Sequence, residues 1–247
     1  MGQGGPGSHA RPGLSLGELV SAALAEDLGA LGDVTSALIV PAERRGRAEL
    51  IARDAGVLAG RPAAEEVLRR FPGLEADWSA SDGDALAPGG SIATIAGPAR
   101  ELLTAERTVL NFLTRISGIA SLTARYVVAC APAAVLDTRK TTPGWRALEK
   151  RAVAAGGGTN HRMGLDDRVL IKDNHLALAG DHLAEAVARS RRDLPGLIVE
   201  VEADDPAVAV AAAEAGADWI LLDNMDDQRL REAVEAVGGR ARLEASG

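Results

Sequence analysis

The chain has 247 residues, of which 47% are hydrophobic and 25% charged, so collagen-like, wholly disordered and multi-span membrane proteins are excluded. A formal net charge of -8 argues against non-specific binding to nucleic acid. The single cysteine, Cys130, cannot form an internal disulfide or a thiolate metal cluster, so the reducing cytoplasm is the expected compartment. No stretch approaches the eighteen or so uninterrupted apolar residues of a membrane helix. A site for an anion would need a local cluster of basic residues.

The first third of the chain mixes a helix with short strands. Residues 1–13 are rich in Gly and Pro and are expected to form a disordered leader. Apolar residues three and four apart predict a helix over 16–28, and a polar turn is predicted at 33–36. Short Val, Ile and Leu runs broken by Gly and Asp predict small twisted strands within 47–59 and 83–97.

Two further helices are predicted, one between these two strand segments and one after them. One is predicted over 62–71, with a proline near its first turn, and a long one over 102–128. We place a domain boundary inside the long helix near Thr114, which gives predicted domains at 14–114 and 115–247.

Beyond residue 131, strands alternate regularly with Ala-rich amphipathic helices. Continuous apolar strands of this kind are typical of a parallel sheet that is buried on both faces, so the sequence predicts an α/β fold. The predicted strands span residues 134–136, 169–171, 197–201, 219–222 and 242–245.

Polar residues follow each of these strands. Any one of them alone would be an ordinary solvated loop residue. In a parallel barrel, however, the carboxyl ends of the strands line one mouth, so a run of such residues at successive strand ends favours a site. They are Asp137, Thr138, Arg139 and Lys140; Lys172, Asp173, Asn174 and His175; Glu202; Asp223 and Asn224; Ser246 and Gly247.

The basic residues of this set predict an anionic ligand. A phosphorylated or multiply carboxylated small molecule is the natural partner of several arginines and lysines. The cations are Arg139, Lys140, Arg162 and Lys172, with His161 and His175 available beside them.

Glu202 and Asp223 lie one strand-helix unit apart, which suits Mg²⁺ held jointly with substrate phosphates. The alternative is that both carboxylates are counterions of the basic residues. The triplet Gly156–Gly158 also has two possible roles. Its first glycine is the C-cap of a helix over 145–155, or the three glycines allow an anion to approach the backbone closely.

Ordered motifs along nearly the whole chain from Leu14 resemble the quinolinate phosphoribosyltransferase (nicotinate-nucleotide pyrophosphorylase) family. The motifs are Glu26-Asp-Leu-Gly29, Gly32-Asp-Val-Thr35, Glu106-Arg-Thr-Val-Leu-Asn111, Asp137-Thr-Arg-Lys-Thr-Thr-Pro-Gly144, Gly156-Gly-Gly-Thr-Asn-His-Arg162, Val169-Leu-Ile-Lys-Asp-Asn-His175, Val199-Glu-Val-Glu202, Leu221-Leu-Asp-Asn224 and Glu244-Ala-Ser-Gly247. Glu26, Asp27, Asp33 and Thr35 are interpreted first as capping and turn residues.

The resemblance implies an amino-terminal α/β sandwich followed by an open α/β barrel. It implies a reaction in which quinolinate and 5-phosphoribosyl 1-diphosphate yield nicotinate mononucleotide, diphosphate and CO₂, with Mg²⁺ and no organic cofactor. Family members continue beyond the equivalent of Gly247, so we expect the barrel of this chain to lack its last elements.

The resemblance also implies roles for individual residues. Arg107, Arg139, Arg162 and Lys172 would bind the quinolinate carboxylates, with Lys140 and His161 nearby; Lys172, Lys140, Glu202 and Asp223 form the predicted catalytic set. Glu202 and Asp223 would face the ribose and Mg²⁺, and Ser246 with Gly247 would bind a phosphate. A homodimer or higher even oligomer is implied, with Arg107 acting at the partner's site.

Three other functions are open at this point. A Schiff-base aldolase would use Lys172 or Lys140 as the nucleophile, and a phosphoribosyltransferase-like protein associated with molybdenum transport would take a different substrate. The stretch from Asp82 resembles the strand-turn pattern of biotinyl and lipoyl carrier domains, but residues 53–101 contain no lysine that could be modified.

Overall fold

The computed structural model describes residues 14–180 and 182–247, so the predicted leader at 1–13 lies outside the described residues. The described chain forms two compact units, which divide between His161 and Arg162. The predicted boundary near Thr114 falls inside a continuous helix and stays a prediction. None of the helices in the described ranges has the length and apolar character that a bilayer crossing needs.

Two short helices open the first unit. α1 (Leu16–Leu28) has the predicted bounds, because Ser15 and Glu18 form a capping box at its start. The polar turn predicted at 33–36 is wrong: α2 (Val34–Ile39) begins there, and Asp33 is its N-cap. The Asp33 carboxylate accepts the backbone N–H of Ser36 at 2.9 Å, and hydrogen bonding from Ser36 lowers its pKa.

The sheets of the first unit are antiparallel. β1 (Arg45–Ile51), β5 (Ser91–Pro98) and β3 (Glu75–Trp78) form one sheet in the order β1-β5-β3. β2 (Gly56–Val57) and β4 (Ala85–Leu86) form a second sheet of two strands. The sequence did not predict β3, because it is an edge strand whose residues are mostly exposed and carry no apolar alternation.

Helices cover these sheets. α3 (Arg61–Leu68) has the proline at its first turn that the sequence predicted. α4 (Ala99–Cys130) exceeds the predicted length at both ends and buries an apolar stripe that includes Phe112 and Ile116. The ring of Phe112 stacks on that of Trp145 just before α5 (Arg146–Ala155), with centroids 5.1 Å apart.

The strand predicted at 134–136 is wrong, because only an isolated parallel bridge forms there, between Leu136 and Thr159. Thr159 N–H donates to the Val135 carbonyl at 2.8 Å, and Asp137 N–H donates to the Thr159 carbonyl at 3.2 Å.

The second unit is a parallel sheet with helices. The strands lie in the order β6-β7-β8-β9, and all four were predicted within two residues of their bounds. They are β6 (Val169–Ile171), β7 (Val199–Ala203), β8 (Trp219–Asp223) and β9 (Arg242–Ser246). The helices are α6 (Asp173–Ala179), α7 (Leu183–Asp193), α8 (Pro206–Glu214) and α9 (Asp227–Val237).

The register gives this sheet an apolar face and a charged face. Val201 pairs with Ile220 and then Leu243, and these residues belong to a core completed by side chains from the helices. The neighbouring rung runs from Glu202 through Leu221 to Glu244. Because side chains alternate along a strand, the polar residues of β7, β8 and β9 share the opposite face. The α/β class predicted from the sequence is confirmed.

Candidate active site

In the first unit, the loop from Asp137 to Thr142 contains two of the predicted cations. The backbone N–H of Lys140 donates to Thr138 Oγ1 at 3.0 Å, which forms a local turn. Arg139 is half-buried, and its Nε is buried without a hydrogen-bond acceptor among the described residues. Lys140 is exposed.

Asp137, which starts this loop, is the centre of a buried hydrogen-bond network. It forms an ion pair with Lys150, whose side chain is 4% exposed. It also accepts the side-chain amide of Asn160 at 2.6 Å and the backbone N–H of His161 at 2.9 Å. Lys150 was not predicted as a site residue, since a lysine within a helix gives no pattern of its own. Asn160 lies in the motif from Gly156 to Arg162, but no role was predicted for it.

Glu149, beside Lys150 in α5, holds the other end of the loop. Its carboxylate accepts the backbone N–H of Thr142 at 3.2 Å and a guanidinium N–H of Arg115 at 3.1 Å. Burial by itself raises the pKa of Glu149, but the hydrogen bonds from Thr142 and Arg115 outweigh it, so this pKa lies below its ordinary value. The group is therefore an anion that fixes the loop.

The glycine triplet has a packing explanation. Gly156 is the C-cap of α5, as one of the two interpretations predicted. A Cβ at Gly156 would overlap the Ala120 carbonyl in α4, and one at Gly158 would approach Val153 at 2.7 Å. Approach of an anion to these glycines stays a prediction.

The second unit brings Lys172 and Glu202 together. Lys172 follows β6, Glu202 lies near the end of β7, and the two form an ion pair. Glu202 is thus a counterion of Lys172 in the described structure, and its assignment to Mg²⁺ stays a prediction. The Lys172 side chain is 40% exposed, so part of it remains accessible to a ligand. A Schiff-base nucleophile requires a neutral amine, whereas this lysine is paired with a carboxylate.

The ends of β8 and β9 also meet. Asp223 pairs in register with Ser246, and the backbone N–H of Asn224 donates to the Ser246 carbonyl at 2.8 Å. Asn224 has φ 56°, in the left-handed region, and its side-chain amide donates to Asp223 at 2.8 Å. Gly247 lies against Asn224. A residue in a strained conformation at a strand end is a common feature of ligand sites.

The remaining predicted residues lie as follows. Arg107 is exposed on α4, and His161 and Arg162 are half-buried. His175 Nδ1 accepts the Lys172 backbone N–H at 2.9 Å, so this histidine contributes to the start of α6.

A buried ion pair on the charged face of the second sheet was not predicted. Arg168 donates to Glu200 at 3.0 Å, and Glu200 is fully buried. The Arg168 guanidinium also lies 4.9 Å from the ring centroid of Trp219. The Val-Glu-Val-Glu alternation of β7 could have revealed it, because alternation places both glutamates on one face.

Each unit thus gathers part of the predicted set. The first brings His161 and the loop of Arg139 and Lys140 to one network, and the second places Lys172, Glu202, Asp223 and Ser246 at the carboxyl ends of adjacent strands. The assignment of these residues to substrates stays a prediction.

The sequence matches two domain models of one family. Residues 33–117 match the quinolinate phosphoribosyl transferase N-terminal domain, and residues 119–247 match its C-terminal domain. The second match spans residues of both compact units.

Individual proteins are similar over most of this chain. The chloroplastic nicotinate-nucleotide pyrophosphorylase [carboxylating] of Oryza sativa subsp. japonica is 38% identical over 96% of this chain and 69% of its own length. The probable enzyme of that name from Synechocystis is 41% identical over 91% and 77%. The crystal structure of NadC from Streptococcus pyogenes is 40% identical, with a TM-score of 0.87, over 93% of this chain and 82% of that one. This match confirms the predicted sandwich and open α/β barrel, and the chain belongs to the quinolinate phosphoribosyltransferase family.

Proposed function

We propose that this protein transfers the phosphoribosyl group of 5-phosphoribosyl 1-diphosphate to quinolinate and decarboxylates the product. Nicotinate mononucleotide, diphosphate and CO₂ are the products, and the reaction supplies NAD biosynthesis. Family membership supports both the reaction and its two substrates.

The observation that carries the proposal is the buried Nε of Arg139, which has no acceptor among the described residues. An unsatisfied buried donor is costly, and a guanidinium binds a carboxylate with paired, charge-assisted hydrogen bonds. A planar dicarboxylate such as quinolinate supplies the missing acceptor.

We assign the quinolinate carboxylates to Arg107, Arg139, Arg162 and Lys172, with Lys140 and His161 adding positive potential. Cations that hold both carboxylates restrict the rotation of the ring, so its nitrogen is presented to the ribose in a near-attack orientation. Ser246 and Gly247 are assigned to a phosphate of the second substrate.

The carboxylates of the second unit fit a hard cation. Glu202 and Asp223 lie on the same face at the carboxyl ends of neighbouring strands, and carboxylate oxygens are the ligands that Mg²⁺ prefers. Mg²⁺ bound there would neutralise charge on the departing diphosphate. We propose Glu202 and Asp223 as its protein ligands.

The chemistry requires electrostatics and positioning more than proton transfer. As the bond from C1 of the ribose to the diphosphate breaks, the ribose gains oxocarbenium character, which the Glu202 and Asp223 carboxylates stabilise. The quinolinate nitrogen donates its electron pair to C1. Loss of CO₂ then leaves the electron pair of the broken carbon-carbon bond on the ring carbon, where the adjacent positively charged nitrogen stabilises it, and this carbon takes up a proton in place of the carboxyl group.

The test is an assay of purified protein with quinolinate, 5-phosphoribosyl 1-diphosphate and Mg²⁺. We expect equal amounts of nicotinate mononucleotide and diphosphate, with labelled CO₂ released from carboxyl-labelled quinolinate. Nicotinate in place of quinolinate should be a poor substrate, because it lacks the second carboxylate. Efficient turnover of nicotinate, or none of quinolinate, would contradict the proposal.

We further propose a homodimer in which Arg107 of one chain acts at its partner's site; the exposure of Arg107 on α4 supports this. A cytoplasmic location is proposed from the single cysteine. Sedimentation analysis and cell fractionation test these two statements.

A further inference from the structure

A buried ion pair in the first unit contacts His161 through both of its backbone groups. Lys150 and Asp137 form this pair, and their side chains are 4% and 6% exposed. Asp137 accepts the backbone N–H of His161 at 2.9 Å, and Lys150 Nζ donates to the His161 carbonyl at 3.1 Å. The pair therefore fixes the backbone at His161 from both ends of the residue.

The same pair joins two segments that contain candidate substrate ligands. One segment continues from Asp137 to Arg139 and Lys140, and the other contains His161. Among the described residues, the only β-pairing between these segments is the isolated bridge from Leu136 to Thr159.

Asn160 reinforces the connection between the segments. Its side-chain amide donates to Asp137 at 2.6 Å and to the Lys150 carbonyl at 2.8 Å. A network in which each polar group has its partner restricts both segments to one arrangement.

Stability alone is a weak reason for such a pair. Removing two charges from water costs about as much as their attraction returns, so apolar replacements of buried pairs are often neutral. Nor does Lys150 reach a ligand itself, because its ammonium group is buried and engaged by Asp137 and His161. Its effect on a ligand is exerted through the residues it holds.

We propose that Lys150 is a positioning residue for quinolinate. Together with Asp137 it holds the Arg139 loop and His161 at the spacing that the two carboxylates of the substrate require. This inference rests on the proposed function, because it assumes that these segments bind quinolinate.

The test compares steady-state kinetics of the wild-type protein and Lys150→Met, a substitution of similar length without charge. We expect KM for quinolinate to rise about tenfold or more, since small displacements of binding groups are costly. KM for 5-phosphoribosyl 1-diphosphate should stay within about twofold, because Lys150 bonds to Asp137, His161 and Asn160, which lie in segments assigned to quinolinate. The matched control is Val67→Ala, which removes fully buried atoms from α3 in the same unit and should lower Tm without changing either KM.

A double variant separates positioning from folding. Asp137→Asn with Lys150→Met leaves no unpaired buried charge, so it should recover Tm but keep the raised KM for quinolinate. It also replaces the single variant if that protein does not fold. Recovery of both Tm and KM would show that the pair is only structural, and an unchanged KM in Lys150→Met would overturn the inference. Absence of turnover in the wild-type protein would instead refute the proposed function.

Discussion

Replacing Arg139 by methionine tests the candidate site through two measurements that should move in opposite directions. The structure leaves the Arg139 Nε buried without an acceptor among the described residues, so the free protein bears the cost of an unsatisfied donor. A buried donor without a partner costs about 1–3 kcal/mol, and methionine fills comparable space without any donor. The variant should therefore unfold at the same temperature as the wild type or at a higher one. At this chain length, each kcal/mol gained corresponds to a rise of about 2–4 °C in Tm.

Binding of quinolinate should weaken in the same variant. Hydrogen bonds to charged groups contribute about 1.5–3 kcal/mol each. The loss of one such interaction lowers affinity about 10- to 140-fold, at 1.4 kcal/mol per factor of ten. Arg139→Lys should lie between the wild type and Arg139→Met, because lysine keeps the charge but lacks the planar fork of the guanidinium.

Isothermal titration with quinolinate and thermal unfolding measure the two effects. Arg231→Met is the matched control, since this side chain is 79% exposed on α9 and its ion pair with Asp227 lies at the surface. Quinolinate affinity within twofold of the wild type in Arg139→Met would refute the assignment. A clear drop in Tm would show that Nε makes a stabilising bond in the free protein.

Three further predictions follow from other contacts. Lys172→Ala should reduce kcat/KM at least about 100-fold with unchanged far-UV circular dichroism, since it removes a proposed ligand of the substrate; near-normal turnover would contradict that role. Mixing inactive Arg107→Ala and Lys172→Ala chains should restore part of the activity if subunits share sites, and a verified heterodimer without activity would exclude sharing. Burial by itself raises the pKa of Asp218. The hydrogen bonds from the Val199 backbone and from Arg191 lower this pKa by more than burial raises it, so the pKa lies below its ordinary value. Asp218 therefore stabilises the fold above its ordinary value of 3.8, and this contribution is lost as pH falls through the lower folded value. Asp218→Asn should reduce the unfolding free energy by about 1 kcal/mol near pH 7, with a smaller difference in acid, as urea titrations at several pH values would show.

Local apolar patterns were sufficient to predict the elements that bury one continuous surface. Val169–Ile171 is a short apolar run between polar loops, and α1 has both apolar spacing and a capping box, so their bounds agree with the structure. β3 and the segment at 134–136 differ, because an exposed edge strand and a single bridge both depend on a distant partner.

The positions of buried charges could not be predicted in the same way. Glu149 and Lys150 are consecutive residues of α5, and from the sequence alone two adjacent charged residues predict a solvent-exposed part of a helix. Both are buried, because each has a partner in the segment that precedes α5. Glu149 accepts a hydrogen bond from Thr142, seven residues earlier, and Lys150 donates one to Asp137, thirteen residues earlier. Only the tertiary structure brings these groups together, so periodicity within a single helix contains no signal for them.

The candidate substrate ligands differ in whether their positive charge is already paired with a carboxylate of the protein. Lys172 is paired with Glu202, Lys150 with Asp137 and Arg168 with Glu200, so each of these charges already has a carboxylate in the described structure. A substrate carboxylate that approaches a paired cation must compete with a carboxylate held in place by the fold, and it gains only the difference between the two interactions. At the Arg139 Nε no such competitor exists among the described residues, so there the substrate gains the full interaction. Quinolinate affinity should accordingly depend more steeply on Arg139 than on Lys172, whereas turnover, which requires the strand-end carboxylates beside Lys172, should depend more on the latter.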